Sequence, residues 1–220
     1  MQTQMVAVIT GDINSYSNMT EKDARQLENL LKKCYKTTLS LFKDADLKAF
    51  SNFRGDSWQF IVGNPIMAIR ATLLFRSLLI VESDKQLGKV VQTSAAIGFG
   101  NIDFLPNANS LSGKGEAYKL SGKKLDTLKR QMPGMGIVGL GKNNQFLDSY
   151  VGLIDALMHK WTAAQALASS YALLTYSQKE IAEKWTPPIT QQAVSKHLKA
   201  AGWPAIKPAL QEIETAIKGC

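Results

Sequence analysis

The chain of 220 residues carries 26 Lys and Arg against 18 Asp and Glu, a formal net charge of +8, and 45% of its residues are hydrophobic. This length and composition suit one large or two modest domains with a sizeable core. The apolar runs are too short for a membrane-spanning helix, and the first residues lack the pattern of a secretory signal. Two cysteines make neither a disulfide framework nor a zinc site. From these three observations together we expect a cytoplasmic protein with no membrane partner.

Strand and helix patterns alternate along the first 141 residues. The apolar run 5–9 predicts a buried strand that ends at Thr10-Gly11-Asp12. After it, the sequence predicts a helix from Thr20 to Phe42, strands 48–53 and 57–62 joined by a Gly-Asp turn, a helix 65–82, a strand 91–99, a loop 101–112, a helix 116–130 and a strand 135–140. This order predicts an α+β fold, a mostly antiparallel sheet with helices on one face.

The remainder of the chain shows only helical patterns. Glycine and asparagine residues at 139–144 break the alternation, so we predict two domains, 1–141 and 145–220. Ser177 and Glu180 have capping-box spacing and begin a short helix, and Thr190 is an N-cap for a second one. Over residues 160–203 this all-α region resembles the helix-turn-helix of sigma-factor-like and LuxR-like regulators, with a turn longer than the usual three or four residues.

The second helix of this pair has a polar outer face. Glutamine can pair bidentately with adenine, and lysine can reach guanine or phosphate. We therefore predict double-stranded DNA as a partner, bound by a homodimer on two half-sites. A helical bundle that contacts another protein is the alternative. The predicted DNA-binding residues are Gln191, Gln192, Ser195, Lys196 and Lys199.

Two carboxylates mark the first domain. Asp12 closes the first predicted strand, and Asp56 lies in the turn of the predicted hairpin. If the hairpin pairs beside the first strand, both carboxylates reach the same edge of the sheet. Two hard oxygen ligands suit Mg²⁺ held jointly with the phosphates of a nucleotide. The alternative is that each aspartate caps the backbone of its own turn.

Small and polar residues accompany these carboxylates. Gly11 and Gly55 would let the backbone come close to a ligand. Asn14 and Ser15, with their backbone amides, would cradle phosphates next to the metal. The sequence thus predicts a nucleotide site around the metal ligands.

Four short segments carry a resemblance to known proteins. They are VAVITGDI at 6–13, RGDSWQ at 54–59, AIGFG at 96–100 and GEAY at 115–118. In this order they resemble the SatD family and, more distantly, the palm-like catalytic domain of class III nucleotidyl cyclases and diguanylate cyclases. The resemblance covers roughly residues 5–140 and implies a ferredoxin-like palm.

The resemblance also implies roles for individual residues. In the cyclases an Asp followed by Ile closes the first strand and a Gly-Asp turn supplies the second metal ligand, which implies Asp12 and Asp56 as Mg²⁺ ligands together with the carbonyl of Ile13. An Asn and an Arg on a later helix of the cyclases correspond to Lys119 and Lys123. Lysine lacks the fork of arginine and accepts no hydrogen bond, so cyclisation is disfavoured, but both lysines still offer charge to a nucleotide's phosphates.

Three functions remain open. The first is a DNA-binding transcriptional regulator with a nucleotide-type sensor or dimerisation domain. The second is a Mg²⁺-dependent nucleotidyl cyclase or nucleotidyltransferase. In the third, the palm only dimerises and its two aspartates are structural. The basic stretch 113–130 is either a phosphate-facing patch or a solvated helix face.

Overall fold

A five-stranded sheet organises the N-terminal part of the described chain. The computed structural model describes residues 5–53, 55–104, 113–131 and 134–220. The strands are β1 (Val6–Ile13), β2 (Leu47–Phe53), β3 (Ser57–Val62), β4 (Thr93–Gly100), β5 (Ile102–Phe104), β6 (Lys114–Gly115) and β7 (Met135–Val138). β5 and β6 pair as a separate ladder at the ends of the predicted loop. The rest of that loop, 105–112, lies outside the described residues.

The helices begin largely where capping residues predict. They are α1 (Glu21–Leu41), α2 (Ala68–Leu87), α3 (Glu116–Gln131), α4 (Asn144–Met158), α5 (Ala163–Leu173), α6 (Gln178–Glu183), α7 (Gln191–Ala200) and α8 (Trp203–Lys218). The hydroxyls of Thr20 and Thr190 accept the predicted cap hydrogen bonds, and Ser177 forms its capping box. α8 has Pro204 in its first turn, where proline is tolerated. No helix in the described part of the chain is long and apolar enough to cross a membrane.

The strand order is β2-β3-β1-β4-β7. β1 is antiparallel to both β3 and β4, β2 and β3 form the predicted hairpin, and β7 runs parallel to β4. With α1 and α2, the first four strands make the βαββαβ arrangement of ferredoxin-like folds. The predicted α+β fold is therefore confirmed.

The two faces of the sheet are covered by different helices. Ala7 and Ile9 of β1 point into the core under α1 and α2, whereas Val8 and Thr10 point to the opposite face. There the hydroxyl of Thr10 lies 3.0 Å from that of Ser121 on α3. The sequence predicted helices on one face, but α3 lies on the other. It joins β4 to the parallel strand β7, and such a connection requires a crossover element.

The C-terminal helices pack on the sheet domain through a continuous core. Side chains of α4, α5 and α8 belong to the same buried cluster as those of β1, β3 and α2. Arg76 of α2 donates to Asp155 of α4 at 2.6 Å, with the two side chains only 2% and 7% exposed. Arg70 binds both carboxylate oxygens of Glu214 on α8, at 2.8 and 3.0 Å. The helical region therefore shares its interior with the sheet domain.

The two cysteines lie in opposite environments. Cys34 on α1 is buried, whereas Cys220 at the C-terminus is exposed. Burial raises the pKa of the Cys34 thiol above its usual range. Cys34 therefore behaves as a small apolar core residue.

The ion pair between α2 and α4 generates the first prediction. Asp155→Ala should lower the free energy of unfolding by about 3–5 kcal/mol, because it leaves the guanidinium of Arg76 buried without its carboxylate. Urea denaturation followed by circular dichroism measures the change. Arg25→Ala is the control, since it breaks a pair whose side chains are 84% and 92% exposed and should leave stability unaltered. Equal stability of both variants would contradict a structural role for the buried pair.

Candidate functional site

The structure brings Asp12 and Asp56 to the same edge of the sheet. β1 extends to Ile13, one residue beyond Asp12, so Asp12 lies near the end of this strand as predicted. It pairs with Ser57 of β3 on one side and with Ser94 of β4 on the other. The amide of Ile13 donates to the carbonyl oxygen of Asp56 at 2.9 Å. Pairing of the hairpin beside β1 therefore produces the predicted proximity.

A serine hydroxyl joins the two carboxylates. Ser57 Oγ lies 2.7 Å from Asp12 Oδ1 and 3.2 Å from Asp56 Oδ1. A hydroxyl has one hydrogen, so it donates to one carboxylate at a time. Two neighbouring carboxylates that are both charged favour a cation beside them. Ser57 was not selected from the sequence, although it directly follows Asp56 and opens β3.

A lysine from α3 supplies the nearby positive charge. Lys129 Nζ lies 2.8 Å from Asp12 Oδ2, with the two side chains 43% and 16% exposed. Asp12 thus uses one oxygen for Ser57 and the other for Lys129. The ammonium lies against Asp12 and not against Asp56 among the contacts of the described residues. The chemistry of two neighbouring carboxylates suits Mg²⁺, which takes one or two carboxylates and completes its shell with phosphates and water.

The two lysines selected from the resemblance lie elsewhere on the same helix. Lys119 and Lys123 are exposed. The residues of α3 that are buried against the sheet include Ser121 and Leu125. Among the described residues neither lysine forms an ion pair. Lys129 is thus the α3 lysine in contact with Asp12, and it was not among the residues predicted from the sequence. Its position in the basic stretch was a signal, but only the path of α3 across the sheet brings it to the carboxylate.

The backbone of Asp12 is held from the opposite face of the sheet. Thr93 Oγ1 donates to the carbonyl oxygen of Asp12 at 2.8 Å, and the indole nitrogen of Trp58 donates to Thr93 Oγ1 at 2.9 Å. Trp58 and Thr93 are both buried. The position of Asp12 is therefore fixed by core residues.

Gly11 and Gly55 were predicted to let a ligand approach the backbone. In the structure, side chains occupy the space beside both glycines. A Cβ on Gly11 would lie 2.1 Å from the indole ring of Trp58, so the space above this glycine holds a core side chain. Gly55 has φ +80°, and a Cβ there would lie 2.3 Å from the hydroxyl of Tyr16. Gly11 thus accommodates packing, and Gly55 supplies the left-handed conformation of its turn.

Asn14 and Ser15 connect the carboxylate edge to a cleft. Asn14 Oδ1 accepts a hydrogen bond from Ser94 Oγ at 2.9 Å, so its amide nitrogen is the atom that it can offer to a phosphate. Ser15 is exposed and has φ 58°. Both line a cleft of about 370 Å³ that also includes Lys89 and His159. Lys89 is already paired with Asp23 at 2.5 Å, which lowers the pKa of that carboxyl mainly through this hydrogen bond.

The predicted DNA-facing residues lie on the outside of α7. Val194 and Leu198 are buried against α5 and α6, within a small apolar cluster. His197 stacks on Trp185 of the preceding turn, with ring centroids 5.6 Å apart, and so has a packing role. Four of the five predicted residues are exposed and Ser195 is half-buried. The exposed ones are Gln191, Gln192, Lys196 and Lys199.

Comparison with known proteins gives partial likenesses of fold. No protein-family model matches the chain, and no curated protein matches it. Membership of the SatD family therefore stays a prediction. Among solved structures, a bacterial light-regulated adenylyl cyclase is 15% identical and matches 60% of this chain and 74% of its own, with a TM-score of 0.41. The guanylyl cyclase Cya2 is 12% identical. The match covers 60% of this chain and 74% of the Cya2 chain, with a TM-score of 0.44.

A third likeness is to the guanylyl cyclase domain of the RhoGC fusion protein from the aquatic fungus Blastocladiella emersonii. It is 16% identical and matches 61% of this chain and 79% of its own, with a TM-score of 0.38. All three likenesses are partial and their TM-scores are low. What the matched part of this chain does must be inferred from its own side chains.

The packing of Trp58 over Gly11 generates the second prediction. Gly11→Ala should lower the free energy of unfolding by about 1–3 kcal/mol, because the added methyl group overlaps a buried ring. Gly152→Ala on α4 is the control, since nothing lies within 4 Å of its Cβ position and alanine should stabilise the helix by up to ~1 kcal/mol. Urea denaturation compares them. If Gly11→Ala is as stable as the unmodified protein, Trp58 does not fill the space above Gly11. That space would then be open to a ligand.

Proposed function

We propose that the α+β region binds a nucleoside triphosphate with Mg²⁺ and acts as a nucleotidyl cyclase or nucleotidyltransferase. The observation that supports this most strongly is the sharing of the Ser57 hydroxyl by Asp12 and Asp56, beside the ammonium of Lys129. Two carboxylates that share a hydroxyl, one near the end of the central strand β1 and one in the turn before β3, are typical of sites that hold a divalent cation for phosphate chemistry.

The residues of this edge divide the work of binding between them. Asp12 and Asp56 would hold the metal, with the carbonyl of Ile13 as a third oxygen ligand. When bound, Mg²⁺ would neutralise charge that develops on the phosphates. Lys129 and the amide nitrogen of Asn14 would bind phosphate oxygens. Lys119 and Lys123, exposed on α3, stay proposed contacts for a longer phosphate chain.

The neighbouring cleft offers a place for the rest of the nucleotide. Its volume of about 370 Å³ is within the range of small-molecule sites, and Asn14 belongs to both the cleft and the carboxylate edge. Apolar Met19 and Val91 line it together with polar Gln92. This mixture suits a flat ring that needs both packing and hydrogen bonds.

A thermal-shift screen of the four nucleoside triphosphates with Mn²⁺ or Mg²⁺ tests the proposal. At ~100 times its Kd, a ligand should raise the Tm by roughly 5–10 °C, because it stabilises the folded state by about 2.7 kcal/mol. Asp12→Asn should abolish the shift, since it removes a charged metal ligand. Asp44→Asn, which removes an exposed carboxylate outside this edge, should keep it.

The same samples distinguish the alternatives. Release of pyrophosphate from one triphosphate, lost in Asp12→Asn, would support an enzyme. A shift without turnover would support a sensor. Absence of a shift with all four nucleotides, together with unchanged behaviour of Asp12→Asn, would leave a domain that only dimerises.

A second function, binding of double-stranded DNA by α7, is supported by the exposure of Gln191, Gln192, Lys196 and Lys199. Their side chains share one outer face, while the opposite face is anchored on α5 and α6. A short recognition helix has a small footprint, so a homodimer on two half-sites is the expected assembly. In this case the protein is a transcriptional regulator, with the nucleotide site as its sensor.

Fluorescence anisotropy with a labelled duplex, titrated at several salt concentrations, tests DNA binding. The double variant Lys196→Ala, Lys199→Ala should weaken binding and reduce the salt slope by about 2, because each phosphate contact contributes roughly one unit. The double variant Lys160→Ala, Lys218→Ala is the control, since it removes the same charge from exposed positions on other parts of the helical region. An equal loss of DNA affinity in both double variants would indicate that net charge alone attracts the duplex.

A further inference from the structure

Lys129 binds the atom that a metal ion would need. We propose that its ammonium is a built-in counter-cation that competes with a divalent cation for Asp12 and thereby holds the site in a low-affinity state. This inference rests on the proposed function, since it concerns the same carboxylates. It assigns to Lys129 a role that neither Lys119 nor Lys123 shares.

Both carboxylate oxygens of Asp12 already have a partner. Oδ1 accepts from Ser57 at 2.7 Å, and Oδ2 lies 2.8 Å from Lys129 Nζ. The backbone of Asp12 is paired on both sides and held by Thr93, so the position of its Cα is fixed. A cation that approaches Oδ2 therefore meets the ammonium at close range. Two positive charges at that distance repel strongly, so one must leave.

Lys129 is the partner that can leave. Its side chain is 43% exposed, whereas that of Asp12 is 16% exposed. A lysine ammonium sits on a flexible four-carbon stem and can be rehydrated at low cost. Asp126 lies three residues earlier on α3 and is exposed, so it can accept the released ammonium on the helix surface. Displacement thus needs no change in the sheet.

A phosphate would change this balance. An anionic oxygen placed beside the metal gives the released ammonium a better partner than water. Metal and phosphate should therefore favour each other's binding, and by linkage the effect is reciprocal. Because of Lys129, the site would bind metal and phosphate together more readily than it binds the metal alone.

Binding of Mn²⁺ alone, measured as the loss of its free-ion electron paramagnetic resonance signal, tests the competition without any turnover. Lys129→Gln should bind Mn²⁺ at least about tenfold more tightly than the unmodified protein, because one close positive charge is removed. Lys129→Arg keeps the charge and should stay near the unmodified value. Arg130→Gln is the matched control: it removes one positive charge from the next residue, whose guanidinium donates to the carbonyl of Asp126, and should change the affinity little.

The outcomes separate this inference from the proposed function. If all proteins bind Mn²⁺ equally and Asp12→Asn abolishes binding, the metal site is real but the competition is refuted. If Lys129→Gln and Arg130→Gln tighten binding equally, the effect is one of general charge and the inference fails. If not even Lys129→Gln binds Mn²⁺ while it remains folded by circular dichroism, both fail.

Discussion

The indole ring of Trp58 is the contact on which the arrangement of the sheet depends. It is fully buried, lies against the rings of Phe60 and Phe75 at 5.6 and 4.5 Å between centroids, and fills the space above Gly11. Its nitrogen donates to Thr93, so one side chain of β3 is tied to β1 and β4 at once. Because β1 carries both Gly11 and Asp12, the position of the carboxylate is a property of the core.

The helical region adds a second constraint through α2. This helix is buried on most of its surface, since α1 and α5 pack on it from different sides. Arg70 and Arg76 of α2 bind carboxylates of α8 and α4. Buried ion pairs contribute little net stability but penalise any arrangement that separates their partners. They therefore favour one definite placement of the C-terminal helices against the sheet domain.

Local patterns predicted much of this structure, because caps and periodicity act over a few residues. Thr20, Ser177 and Thr190 begin helices as expected, and the hairpin brings Asp56 beside Asp12. The missed features depend on contacts between distant segments. The role of Gly11 depends on where Trp58 packs, and the contact of Lys129 with Asp12 depends on the path of α3 across the second face.

The domain boundary shows the same limit of local information. The change of composition at 139–144 indicates correctly where strands end and helices begin. It does not reveal that the helices complete the interior of the preceding region, because complementary burial between the two is a property of the folded chain. A division by composition and a division by packing are different statements about this molecule.

The contrast between the two cysteines has a practical consequence. Cys34 is enclosed and its pKa is raised, so it is poorly supplied with the reactive thiolate, whereas Cys220 lies in the open after the last turn of α8. A maleimide dye or nitroxide reagent should therefore attach selectively at Cys220 without any substitution. Since α8 is anchored to α2 through Arg70 and Glu214, such a reporter would sense displacement of the helical region relative to the sheet.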